Sequence, residues 1–126
     1  MINTNTFVPA ESRWQDIFLH LQNDGFDVYP PATKVGECVK AYIVLKYDGG
    51  SRIAGISSND DVYSVICHVP KQLYSTLELL VQRIKKSMKE LEPMILPYGN
   101  QSPSYYDDSI KAHSISIQYK NHKKML

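Results

Sequence analysis

Paired carboxylates, scattered histidines and two cysteines are the side chains of this sequence with chemistry to offer. Asp60-Asp61 and Asp107-Asp108 set acids side by side. Such pairs serve acid–base catalysis when burial drives their pKa values apart. Adjacent acids are more usually solvated turn formers. The four histidines, His20, His68, His113 and His122, are scattered; His68 and His113 fall in strand-like patterns, which leaves an approach between them open. A metal there would draw a third ligand from Asp107 or Asp108. The plain alternative is a histidine hydrogen-bonded at a sheet edge. Cys67 and His68 are neighbours, and on a strand neighbours point to opposite faces, so they form no thiolate–imidazolium pair. Cys67 with His113 stays geometrically open. Gly49-Gly50 opens no helix and matches no phosphate-binding pattern. No residue is therefore assigned a catalytic, cofactor-binding or metal-binding role, and no cofactor is expected.

Composition narrows the class. A chain of 126 residues fits one domain. A net charge of +1 argues against bulk attraction to nucleic acid or anionic membranes. Cys38 and Cys67 lie outside any CxxC spacing and read as reduced thiols of an intracellular product, with Cys67 in the core. The first residues, Met1 to Pro9, lack the basic and apolar regions of a signal peptide. The apolar run Ala41 to Leu45 is far short of the roughly 20 residues that span a bilayer. A soluble protein made in a cytoplasm is expected.

The elements that must position these groups follow from periodicity. Residues 1–10 read as an arm. Trp14, Ile17, Phe18 and Leu21 recur at helical spacing over Glu11–Asp24. Ser12 with Gln15 fits a capping box, and Gly25 suits the left-handed residue past the helix end. Phe26–Tyr29 reads as a short strand closed by Pro30-Pro31. Ala41–Tyr47 is a strand, Asp48-Gly49-Gly50-Ser51 a hairpin turn, and Arg52–Ser57 a weaker returning strand. Asn59-Asp60-Asp61 turns into a Val62–Val69 strand, completing a meander.

A second helix is expected over Ser75–Leu91, with a Ser75/Glu78 capping box and a stripe of Leu77, Leu80, Val81, Ile84, Met88 and Leu91. Arg83, Lys85, Lys86 and Lys89 occupy its solvated faces. Pro97–Asp108 reads as a long loop and Ser109–Tyr119 as the last strand. Residues 120–126 form a basic tail. The order is thus α-β-β-β-β-α-β: an α+β domain with a mainly antiparallel sheet of about five strands and two helices packed on one face.

The ensemble resembles the tail-terminator and head–tail joining (tail-completion) proteins of long-tailed bacteriophages. The likeness covers about residues 11 to 122. It lies in the N-terminal helix followed by Phe26-Asp27-Val28-Tyr29-Pro30-Pro31, the Tyr42–Tyr47 strand and glycine hairpin, then Tyr63-Ser64-Val65-Ile66-Cys67-His68-Val69-Pro70 and the long helix. The closing strand His113-Ser114-Ile115-Ser116-Ile117-Gln118-Tyr119, approached through Tyr105-Tyr106-Asp107-Asp108, completes it.

The resemblance implies a structural virion subunit without enzyme activity. Such subunits close into rings, commonly hexamers, that cap the tail tube and dock the head–neck connector, with the tail sheath as a further neighbour. DNA passes through the ring non-specifically, and no membrane is involved. Assembly in the host cytoplasm and residence at the tail–neck junction follow. Under this reading Asp48, Gly49, Gly50 and Ser51, the loop residues Tyr98, Tyr105, Tyr106, Asp107 and Asp108, and Lys120 and Lys123 near the C-terminus are the candidate interface. Clustered tyrosines suit contact surfaces, though local packing that anchors the loop explains them equally. The alternative is a small ligand-binding or hydrolytic domain using residues 98–108 as a lid near His113. A third reading is DNA binding through Lys120, Lys123 and Lys124, steeply weakened by salt.

Overall fold

The computed structural model describes residues 12–52 and 59–123. Their elements run α1 (Arg13–Asn23), β1 (Val28–Tyr29), β2 (Tyr42–Arg52), β3 (Asn59–Pro70), a 3-10 helix (Lys71–Thr76), α2 (Leu77–Lys89), β4 (Leu96–Gln101), β5 (Tyr105–Asp107) and β6 (Ala112–Lys123). The fold is α+β. A single six-stranded sheet has the order β1-β2-β3-β6-β4, with β5 also on β6. Every pairing is antiparallel except β1 with β2.

Both helices cover one sheet face, because each must hide its apolar stripe. Ile17 and Leu21 of α1 join Leu77, Val81, Ile84 and Met88 of α2 over Ile43, Leu45, Val65, Cys67 and Ile117. α1 is pinned further by Trp14, whose Nε1 donates to the Leu45 carbonyl at 2.9 Å. Ser12 caps its start and Gly25 closes its end. The Ser12 hydroxyl accepts from Gln15 N at 3.2 Å. Gly25, at φ +94°, turns the chain so that Phe26 N reaches Leu21 O and Gly25 N reaches Gln22 O. That pair of bonds is the Schellman closure. No helix among the described residues is long and apolar enough to cross a membrane.

Several expectations need correction. Asp48-Gly49-Gly50-Ser51 is not a hairpin turn; these residues continue β2, and the register slips between Tyr47 and Gly49 to leave Asp48 as a bulge. The positive φ that a glycine supplies is spent in the bulge, at Gly49 (φ +100°), rather than in a turn. Asn59, Asp60 and Asp61 are not a turn either; they are the first rungs of β3 and pair with Arg52, Ser51 and Gly50. The three-strand meander is therefore two long strands. Arg52 ends β2, and residues 53–57 of the expected returning strand lie outside the described residues, as do the 1–10 arm and Lys124.

The Ser75/Glu78 capping box is absent. The 3-10 helix leads directly into α2, and Leu77 N already finds Tyr74 O, so the first turn needs no side-chain cap. Pro97–Asp108 is not one long loop. It holds β4 and β5, whose Pro97 and Gly99 are tolerated because these strands pair on one side only, with β6. The basic tail is ordered through Lys123: Lys120 pairs with Val62 and Leu96, and Lys123 with Asn59.

The bulge and a turn make different demands on the two glycines. A type I′ turn needs positive φ at both centres, whereas here only Gly49 has it, at the register shift of the bulge. Gly49→Ala should cost about 1–2 kcal/mol in urea unfolding. Gly50→Ala, whose added Cβ meets nothing closer than 3.8 Å, should cost clearly less. Equal losses at both positions would point instead to a type I′ turn.

Candidate functional site

The face opposite the helices carries the surface-facing polar chemistry. Along β2, β3 and β6 the alternate residues Val44 and Lys46, Ser64 and Ile66, and Ser116 and Gln118 point there, in registered rows. Asp48 follows Val44 and Lys46 onto this face, where its Oδ2 accepts from the Ser64 hydroxyl and, at 3.2 Å, from Gln118 Nε2. Asn100 Nδ2 of β4 donates to Gln118 Oε1 at 3.0 Å, and Lys46 Nζ lies 3.7 Å from Asp48 Oδ1. A hydrogen-bonded row thus crosses the sheet from β2 to β4. It joins Asp48, expected in a turn, to Asn100, expected in a loop.

A second surface lies at the β5 corner, on the helix side. Tyr106 pairs opposite His113, and Tyr74 of the 3-10 helix closes from above. The His113 ring sits between them, 5.1 Å from Tyr106 and 4.7 Å from Tyr74. Tyr74 and Tyr106 stay 53% and 40% exposed. The segment expected to act as a lid is tied to β6, with Ser102 N donating to Ser116 O at 2.8 Å and Ser116 N to Ser102 Oγ at 2.9 Å. Tyr105 faces the other way, is also exposed, and has its hydroxyl pKa raised by desolvation. Asp107 Oδ1 is occupied by the Ser109 backbone and hydroxyl in a turn, while Asp108 is exposed. Tyr98 and Lys120 are half-buried. Gly49 and Gly50 are strand backbone beside the polar row, and Ser51 pairs with Asp60.

His68 and His113 do not come together. His68 pairs with Ser114 and Val69 with His113, so the two rings occupy adjacent rungs on opposite faces. Asp107 and Asp108 complete no ligand set with them. Instead His68 Nδ1 meets the Ser114 hydroxyl at 2.6 Å. The distance suits a nucleophile and its base, but Ser114 is wholly buried and offers a substrate no exposed atom. Burial lowers the His68 pKa, with Asp107 opposing. Cys67 lies on the helix face, as its parity requires; burial pushes its thiol pKa up to about 12, so no thiolate forms near neutral pH. Both cysteines are free and buried.

Sequence reasoning missed one cluster, His20 with Asp24 and Glu90, gathered where the two helices end. The i, i+4 spacing of His20 and Asp24 is legible in the sequence; Glu90 is brought in by tertiary packing. The basic face of α2 is exposed as expected, and Lys85, Lys89 and Glu92 line a cleft of about 370 Å³ against the irregular part of β4. No model of a known protein family matches the chain, and no curated protein sequence matches it.

The buried His68 sets an acid limit. Its folded pKa lies below the ordinary 6.5, so the unfolded chain takes up the proton first. The stability it supports is complete above pH 6.5 and is lost as pH falls through the folded value. Urea midpoints measured from pH 7.5 down to 5 should drop in that window. His68→Gln, which does not titrate, should lower stability at pH 7.5 and flatten that part of the profile.

Proposed function

We propose that this chain is a structural virion subunit of a long-tailed bacteriophage, a tail-terminator or head–tail connector protein that closes into a ring. The ring caps the tail tube and docks the head–neck connector, and DNA passes through it without sequence-specific contact. The reading rests first on the sequence resemblance, and of the elements that carry it the amphipathic helix ahead of the sheet, the long helix after β3 and the closing strand are present, while the glycine hairpin is not. The observation that supports assembly is the pair of unlike surfaces left after the helices have buried their stripes. One is the flat polar row from Asp48 through Gln118 to Asn100. The other is the exposed Tyr74–His113–Tyr106 stack.

A ring needs a head-to-tail contact between two different, complementary surfaces. Exposed tyrosines beside a half-buried histidine have the chemistry of an interface anchor. Tail tube, connector and, in contractile tails, sheath are the partners this position would give the subunit at the tail–neck junction of the virion.

Native mass spectrometry of the purified chain should show a closed oligomer, with six copies expected. Tyr74→Ala and Tyr106→Ala should each weaken assembly on the order of tenfold or more while the helix and strand content stays unchanged. A monomer at every concentration that also fails to bind the ends of tail tubes would overturn the reading.

A further inference from the structure

The C-terminal ends of α1 and α2 converge on one point. α1 closes at Asn23 with Asp24 behind it, and α2 at Lys89 with Glu90 behind it. A helix C-terminus carries partial negative charge from its unsatisfied carbonyls. Here two such ends and two carboxylates surround one imidazole nitrogen. His20 Nε2 lies 3.5 Å from Asp24 Oδ2, 3.4 Å from Glu90 Oε1 and 2.9 Å from the Ser87 carbonyl oxygen. Each of these neighbours is an electron-pair donor. Among the described residues, His20 is the single basic group that pairs with either carboxylate.

We propose that His20, Asp24 and Glu90 bind a divalent transition-metal ion of the zinc class, which clamps the end of α1 to the end of α2. The three donor atoms lie within 4.8 Å of one another. A tetrahedral zinc with bonds of about 2.0–2.1 Å holds its ligand atoms roughly 3.3 Å apart. The two His20 separations, 3.4 and 3.5 Å, already match that span. His20 and Asp24 share one helix face at i, i+4. Ser87 orients the Asp24 ligand by donating its hydroxyl to Oδ2, the kind of outer support that metal ligands use. Glu90 comes from the second helix and is exposed, so its carboxylate is free to close the remaining gap.

One imidazole with two carboxylates and no thiolate selects a borderline divalent ion over copper(I), and the nitrogen disfavours magnesium and calcium. The Ser87 carbonyl or a water molecule would fill the fourth position. On binding, the ring is held as the neutral tautomer with its proton on Nδ1: a neutral ring moves the Nε2 proton to Nδ1 through solvent with no net release, a doubly protonated ring releases the Nε2 proton to solvent, and either way the Nε2 lone pair goes to the metal. The inference stands apart from the ring proposal and does not depend on it.

The test uses the full chain, without a polyhistidine tag, freed of metal by a chelator. Zinc is titrated in by calorimetry, and the melting temperature and the visible spectrum of the cobalt form are recorded. One equivalent of zinc should bind and raise Tm by several degrees, and cobalt should give a low-symmetry four-coordinate spectrum without thiolate bands. His20→Ala should weaken zinc binding by more than about 100-fold. Glu90→Gln, at an exposed position where folding is not at risk, should also abolish the Tm shift, and His113→Ala should leave both untouched. Absence of binding up to millimolar zinc, or binding unchanged in Glu90→Gln and His20→Ala, would overturn the proposal. The cluster would then be a hydrogen-bonded histidine clamp between the helices.

Discussion

The fold depends on the register of β3 between β2 and β6. β3 is buried on both sides. Tyr63, Val65, Cys67 and Val69 lie under the helices, and Ser64 and His68 are buried on the reverse face. Side chains alternate with a period of two, so a slip of one residue would exchange the two sets. Ser64, Ile66 and His68 would then lie under Ile84 and Val81, and four core side chains would meet the polar row. Burying a hydroxyl and an imidazole without their partners costs on the order of 1–3 kcal/mol each. The His68–Ser114 bond and the Ser64–Asp48 bond exist only in the observed register, so the polar contacts of one face fix the hydrophobic packing of the other.

This coupling explains what was legible beforehand. The helix stripes were readable because periodicity is local: Ile17 and Leu21, or Leu77, Val81, Ile84 and Met88, need no knowledge of their partners. Gly25 was readable because a helix end demands a left-handed residue. The Gly49-Gly50 pair was not, because turn and bulge both use a glycine at positive φ, and the choice is made by the Ser64 and Gln118 groups that Asp48 reaches across the sheet. β4 and β5 were hidden because Pro97, Gly99 and Asn100 are loop-forming by local chemistry. They become strands only through pairing with β6, a distant partner in sequence. Lys120 to Lys123 looked like a solvated tail for the same reason.

The candidate surfaces show a similar division. Tyr105 and Tyr106 were picked out by type, but adjacent strand residues point apart, so only Tyr106 joins the His113 stack. His68 and His113 both sat in strand patterns, yet which faces they share is a matter of inter-strand register, which composition does not carry. The polar row arises from residues that are individually ordinary: a lysine, an aspartate, a serine, a glutamine and an asparagine. Its existence follows from the continuation of β2 through Asp48, where the local sequence reads as a turn. Hydrophobic demand is met largely on the helix side, and that leaves the opposite face free to be polar.

The most direct test of this account is native-state hydrogen exchange followed residue by residue. If helix packing and strand register form one cooperative unit, the amides of Val65, Cys67, Ile115 and Ile117 should share a single opening free energy with those of Val81, Ile84 and Met88, equal to the global unfolding value. Exchange of the α2 amides through a separate, much lower-energy opening, with the sheet still protected, would contradict it.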